Sequence, residues 1–225
     1  MIDKEKAVII LSGGMDSVTV LAYAIKKGFS CYTLTFDYGQ KSKSEIEAAS
    51  YYSNHYKCNE SKIFKIDFSN FSKSALTDKD KSVIDSSVEN IPSTYVSMRN
   101  VIFLSIACSW AESINCCNIF IGANAIDYSG YPDCREVFLD SYEKMINLGS
   151  KTGVEGGSLK IHRPLVSMSK AQIVKLGHSL GVDYKKTISC YQATDNGKAC
   201  GKCESCELRK KGFFENGLPD ETLYI

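Results

Sequence analysis

Apolar residues in this chain gather into short β-branched runs, separated by segments in which they recur at helical spacing. Ala7, Val8, Ile9, Ile10 and Leu11 form an unbroken apolar run, the pattern of a parallel strand buried on both faces. Val18, Leu21, Ala22 and Ile25 then repeat as one face of a helix. Residues 31–36 predict a second strand, about 43–56 a polar amphipathic helix, and 63–66 a third strand. An apolar helix is expected over 100–114, a fourth strand over 118–121, an amphipathic helix over 136–148, a short strand over 159–161 and a helix over 171–180. Repeated strand–helix units predict the α/β class, a Rossmann-like parallel sheet with helices on both faces. Ligands of such sheets lie beyond the carboxyl ends of the strands, so the loops after strands one, two and four should line one site. From 69 to 97 the periodicity fades into Ser, Lys and Asp, and a stretch of that length reads as a flap over the site or as disorder.

The first strand runs into Ser12-Gly13-Gly14-Met15-Asp16-Ser17. Strand, glycine loop and helix together aim free N–H groups and a positive helix end at a phosphate. Glycines remove the Cβ atoms that would keep an anion away, and Ser12 and Ser17 add hydroxyl donors. Asp16 repels an anion, which suits it to hold the Mg²⁺ that accompanies a nucleotide. Neither G-x-x-x-x-G-K-[ST] nor G-x-G-x-x-G follows the strand. The motif S-G-G-x-D-S resembles the pyrophosphatase loop of the ATP-pyrophosphatase superfamily, which cleaves ATP to AMP and pyrophosphate. ATP is the expected nucleotide. Its expected contacts are Leu11, Ser12, Gly13, Gly14, Met15, Asp16, Ser17, Val18, Thr19, Val20 and Leu21, with Asp37, Tyr38, Gly39 and Gln40 after the second strand.

Composition narrows the class. With 225 residues, 44% hydrophobic and 24% charged, the chain suits one α/β domain over about 1–187 and a C-terminal appendage over 188–225. A net charge of +1 offers no field for long nucleic acid. Its longest apolar stretch, 101–111, is broken by Ser105 and Ser109, so no membrane span and no secretion signal are expected. The ten cysteines should then be thiols or metal ligands in the cytoplasm rather than disulfides. Cys31, Cys58, Cys108, Cys116, Cys117 and Cys134 are scattered as small core residues would be. His55, His162 and His178 are dispersed and make no metal motif.

Cys190, Cys200, Cys203 and Cys206 form C-x₉-C-x₂-C-x₂-C. Four thiolates at that spacing close a tetrahedral Zn²⁺ shell without an open position, hence a structural metal. Lys198, Lys202 and Arg209 would soften its negative charge. An iron–sulfur cluster is the competitor, and the lack of a following Pro favours zinc.

After the fourth strand, Gly122 to Arg135 is dense in turn formers and hydrogen-bonding groups. Arg135 suits a carboxylate or phosphate, Asp127 a metal or a substrate donor, and Arg99-Asn100 puts a further cation at a helix start. With S-G-G-M-D-S, F-D-Y-G-Q, M-R-N, G-A-N-A-I-D-Y-S-G-Y-P-D-C-R, P-L-V-S-M-S-K and the cysteine tail, the chain resembles the 7-cyano-7-deazaguanine synthase family from residue 11 to 206. Two departures are His162-Arg163 before Pro-Leu, and Ser97-Met98 where Pro and a small residue are expected.

That resemblance implies ATP-driven conversion of 7-carboxy-7-deazaguanine and ammonia to a nitrile in the queuosine precursor pathway, by a homodimer. Asp16, Asp127 and Lys170 are then the expected catalytic set. Arg99, Asn100, Asp127, Tyr128, Ser129, Asp133 and Arg135 are the expected substrate contacts. Residue 2 is Ile and no glutaminase Cys is evident, so free ammonia is the expected donor. The alternatives are a tRNA thiolase with Cys134 or Cys108 as the reactive thiol, and a zinc-ribbon binding module.

Overall fold

The computed structural model describes residues 4–68, 73–78, 80–83, 91–126 and 130–225. Five parallel strands form one sheet in the order β3-β2-β1-β4-β5: β1 Lys6–Ile10, β2 Ser30–Asp37, β3 Glu60–Lys65, β4 Asn118–Phe120 and β5 Lys160–His162. The helices are α1 Met15–Lys26, α2 Ser44–His55, α3 Arg99–Ser113, α4 Glu136–Gly149, a single turn α5 Lys151–Val154, α6 Lys170–Ser179 and α7 Glu204–Glu215.

Alternation in β1 feeds two cores. Val8 and Ile10 pack with Phe103, Leu104 and Leu139 of α3 and α4 on one face. Ala7, Ile9 and Leu11 pack with Val18, Leu21, Ile173 and Val174 of α1 and α6 on the other. The doubly covered parallel sheet is the predicted one, and the expected strands and helices fall within a few residues of the observed ones. β3 is an edge strand exposed along its length, so its apolar Ile63 and Phe64 remain 48% and 42% accessible. The chain builds β1, β2 and β3 outward, then returns to place β4 on the other side of β1. That reversal opens a crevice at the carboxyl ends of β1 and β4.

The C-terminal segment joins the same body. Cys190, Cys203 and Cys206 belong to the α3-side core, while Phe213 of α7 packs with α1 and α6. Arg209 reads from sequence as a charge near the thiolates, but it is 2% exposed and engaged elsewhere. Its guanidinium donates to Asp220 Oδ1 at 3.0 Å, to Thr187 Oγ1 at 2.6 Å and to the Tyr184 carbonyl at 3.2 Å. Burial works against ionisation of Asp220, yet the Arg209 charge together with hydrogen bonds from Tyr224 and Thr222 outweighs it and holds this carboxyl below the usual range. Of the scattered cysteines, Cys31, Cys108, Cys116 and Cys134 are buried, Cys58 is half-buried and Cys117 is exposed. His162 stacks on Phe120 with centroids 4.2 Å apart, and burial lowers its pKa, which fits a neutral core ring.

Candidate active site

A cavity occupies the crevice, lined from the loops after β1, β2 and β4, from the start of α3, and by Lys170, Ile188, Ser189, Tyr191 and Ser205. The β1 loop is tied internally: Ser17 Oγ donates to the Gly14 carbonyl at 3.0 Å and accepts from Ser12 N at 3.1 Å. Its two glycines differ in role. Gly13 has φ +84°, and a Cβ there would lie 2.3 Å from the backbone oxygen of Glu45, so it lets α2 approach the loop. Gly14 lines the cavity, and an added Cβ would make only ordinary contact, 3.4 Å from the Ile188 carbonyl. Gly122, after β4, brings its backbone against the first turn of α1, where a Cβ would sit 3.2 Å from Ser17 N.

Of the expected nucleotide contacts, Leu11, Ser12, Gly14, Met15, Asp16, Ser17, Tyr38 and Gln40 line the cavity. Val18, Val20 and Leu21 are fully buried in the helix–sheet core, because a helix that offers its first turn to a ligand packs its later turns on the sheet. Thr19 is buried too, donating to the Met15 carbonyl and sharing a 2.6 Å hydrogen bond with Tyr184. Gly13, Asp37 and Gly39 are not part of the lining. Gln40 shapes the turn after β2: its Oε1 accepts from Tyr38 N at 2.8 Å and its Nε2 donates to the Phe36 carbonyl at 3.1 Å.

Two charged groupings face the cavity. Lys170, 5% exposed at the start of α6, donates to Asp16 Oδ1 and Oδ2 at 2.9 and 2.8 Å. A Ser169–Gln172 capping box fixes that helix start. Arg99 opens α3 and donates to the Tyr38 hydroxyl at 3.1 Å, with its guanidinium 5.5 Å from that ring's centroid. Burial alone would lower the Arg99 pKa, but Tyr38, Tyr131 and Asp133 raise it, so the cation is secure. Met98, just before it, holds φ 56°, the left-handed region that favours glycine.

Sequence reasoning missed Glu45. It lies in the first turn of α2, lines the cavity, and has its pKa pushed up to about 8 by burial, against the opposing pull of Arg99. Within a polar amphipathic helix nothing in the local pattern sets this carboxylate apart from Glu47. Phe36, Tyr38 and Phe103 add an aromatic wall, with Phe36 and Phe103 stacked at 3.8 Å.

Asn100 lines the cavity, whereas Asp133 lies behind it, 4% exposed, its Oδ2 accepting from Asn100 N at 2.9 Å. Asp133 thus braces the α3 start that carries Arg99. Arg135 is exposed, outside the lining, and donates to the Pro132 carbonyl at 3.1 Å. Asp127, Tyr128 and Ser129 lie outside the described residues, as do residues 69–72, 79 and 84–90 of the expected flap. The described parts of that segment bury Ala75, Leu76, Val83 and Val96, and Leu76 lines the cavity. Burial pushes the Cys134 thiol up to about 11 and the Cys108 thiol up to about 12, which leaves neither a thiolate at neutral pH, as sulfur transfer would need.

The four clustered cysteines bring their sulfurs within 4.8 Å of one another. A tetrahedral shell with metal–sulfur bonds of about 2.3 Å spaces its sulfurs about 3.8 Å apart. Cys203 Sγ lies 3.5 Å from Cys206 Sγ and 4.0 Å from Cys190 Sγ, so the set fits a single tetrahedral ion such as zinc. An iron–sulfur cluster fills the space between its thiolates with several atoms and holds them farther apart. Backbone N–H groups of Cys200 and Cys203 donate to Cys190 and Cys200 sulfurs at 3.2 and 3.4 Å. The segment also grips the β1 loop: Ile188 N donates to the Gly13 carbonyl at 3.0 Å, and Met15 N to Ser189 Oγ at 3.3 Å. Among the described residues no helix is long and apolar enough to cross a membrane.

Comparison with known proteins agrees with this geometry. Curated 7-cyano-7-deazaguanine synthases match nearly end to end. That of Pseudomonas fluorescens is 52% identical over 99% of this chain and 100% of its own. Those of Vesicomyosocius okutanii and Coxiella burnetii are 54% and 53% identical, each over 98% of this chain and over 96% and 98% of their own. Among solved structures, NMN synthetase from Francisella tularensis aligns with a TM-score of 0.50 at 18% identity, covering 96% of this chain and 79% of that one, which shows a common fold. Residues 6–217 match the family described as queuosine biosynthesis protein QueC, and the chain belongs to that family.

Proposed function

We infer that this protein is an ATP-dependent ligase that converts 7-carboxy-7-deazaguanine and ammonia to 7-cyano-7-deazaguanine. The observation that carries this reading is the joining, in one cavity, of the β1 anion loop and the Lys170–Asp16 pair with the Arg99 cation and an aromatic wall. A carboxylate resists attack by ammonia until one of its oxygens becomes a leaving group. Its oxygen therefore attacks the α-phosphorus of ATP, and the bond to pyrophosphate breaks. Ser12, Ser17 and the first turn of α1 face the charge on the departing pyrophosphate.

Ammonia then attacks the acyl carbon, AMP leaves with the former carboxylate oxygen, and nitrogen loses a proton to give the amide. The amide oxygen attacks a second ATP with release of pyrophosphate. Loss of both amide N–H protons then expels AMP with that oxygen and leaves the nitrile. Arg99 holds the carboxylate in position, with Asn100 beside it. Both Asp16 oxygens accept from Lys170 at present. Asp16 would hold the magnesium that accompanies ATP once Lys170 transfers its donors to phosphate oxygens, with Asp127 a second carboxylate for the ion. Cys190, Cys200, Cys203 and Cys206 would hold zinc as a closed structural shell. A homodimer in the cytoplasm completes the reading.

ATP:pyrophosphate exchange tests it. Exchange dependent on 7-carboxy-7-deazaguanine is expected. Exchange driven by unmodified tRNA, with none from the acid, would overturn it in favour of base adenylation.

A further inference from the structure

Glu45 differs from the other charged groups that line the cavity. Lys170 pairs with Asp16, Arg99 donates to Tyr38, and Gln40 is engaged by its own turn. Among the described residues none donates a hydrogen bond to the Glu45 carboxylate, although it lines the cavity and is shielded from solvent enough to hold its proton well above the usual carboxylate range. A carboxyl group in such surroundings is destabilising unless a ligand supplies donors.

The substrate inferred above has donors of the right kind. Along one side of 7-carboxy-7-deazaguanine the exocyclic amine, N1–H, O6 and the C7 carboxylate follow one another: two donors, then two acceptors. A carboxylate beside a guanidinium presents the complementary order, and Glu45 and Arg99 both line this cavity, with the guanidinium charge acting on the carboxyl. Phe36 and Phe103, stacked at 3.8 Å, offer a flat apolar wall to a planar ring.

We propose that Glu45 is the specificity-determining residue for the deazaguanine ring, accepting hydrogen bonds from its N1–H and exocyclic amine while Arg99 takes the O6 and carboxylate side. This rests on the reaction assigned above, so wild-type turnover of the acid is measured first, and its absence would fail that assignment rather than this one. The test compares 7-carboxy-7-deazaguanine with its analogue lacking the exocyclic amine, in the wild-type protein and in Glu45→Gln, by pyrophosphate release.

Donors on the ring favour release of the Glu45 proton on binding, and a charge-assisted hydrogen bond then corresponds to about tenfold to a hundredfold in affinity. The wild type is expected to show a KM for the analogue at least about tenfold above that for the acid. In Glu45→Gln the KM for the acid should rise by about tenfold to a hundredfold, the two compounds should become nearly equal, and the KM for ATP should stay within about twofold. If Glu45→Gln fails to fold, the wild-type comparison and Glu45→Asp, which retracts the carboxylate by one methylene and should raise the KM for the acid, carry the test. Equal KM values for both compounds in the wild type would overturn the proposal. So would a variant that keeps full discrimination, or one whose KM rises for ATP alone and thereby assigns Glu45 to the nucleotide.

Discussion

Asp16→Asn leaves the shape of the β1 loop intact and removes the anion from a lysine that is 5% exposed. Breaking a buried ion pair from one side costs about 3–5 kcal/mol, because the remaining charge stays out of water. Asp16 itself is 19% exposed, so solvent relieves part of the effect and about 3 kcal/mol is the reasonable figure. For a chain of this length about 2–4 °C is lost per kcal/mol, which places the fall in Tm at roughly 6–12 °C. Lys170→Met should cost somewhat less, since the more exposed Asp16 carboxylate regains water, and the stem that packs on Gly212 is kept. The double variant removes both charges and should be more stable than the sum of the single losses implies, by about 2 kcal/mol. The assay is thermal and urea unfolding of all four proteins, with ATP turnover measured well below the lowest Tm. Strict additivity would refute the coupling, and near-wild-type pyrophosphate release by Asp16→Asn would refute the role of this pair at the phosphates.

Gly13→Ala forces a Cβ to within 2.3 Å of the Glu45 carbonyl and should give insoluble or strongly destabilised protein, whereas Gly14→Ala should fold and lose ATP binding; solubility and nucleotide titration separate the two. Glu45 keeps its proton up to about pH 8 in the folded state, while the unfolded chain releases it near 4.5. Between those values the unfolded state binds fewer protons, so stability falls as pH rises and levels off above about 8. Glu45→Gln should therefore gain on the wild type in urea denaturation at pH 8 compared with pH 5, and a constant difference would contradict the assignment. Metal analysis should find one zinc per chain and no iron. Cys203→Ala should lower Tm and, because Ile188 and Ser189 hold the β1 loop, should also raise the KM for ATP in whatever protein stays folded. Iron with visible absorbance, or an unchanged KM, would count against that coupling.

The parts of this molecule that were legible in sequence are those in which local pattern and tertiary role coincide. β1, its loop and α1 are written in twenty-one residues of strand, glycine and helix signals, and four cysteines at zinc spacing do converge. What local pattern cannot carry is the direction in which a side chain points after long-range packing. Val18, Val20 and Leu21 continue a binding motif in sequence but turn into the core. Asp133 sits in the most distinctive stretch of the chain and serves the amide of Asn100, thirty-three residues away. Arg209 looks like a surface charge in a polar tail, and α7 went unpredicted because its apolar residues follow no helical stripe. Only the tertiary contacts to Thr187, Tyr184 and Asp220 show why that charge is buried. Glu45 is the converse case, an ordinary polar helix residue until α2 is laid against Gly13.

The central claim is that this protein activates a carboxylate, and then the amide made from it, by adenylation. Both oxygens of the 7-carboxy group can be labelled with heavy oxygen, and the reaction run with ATP and ammonium while AMP is followed by mass spectrometry. Each activation ends with the oxygen of the organic substrate leaving on AMP, so the account predicts labelled AMP from both turnovers and unlabelled pyrophosphate. Nitrile formed alongside unlabelled AMP, or with label appearing in orthophosphate beside ADP, would contradict it.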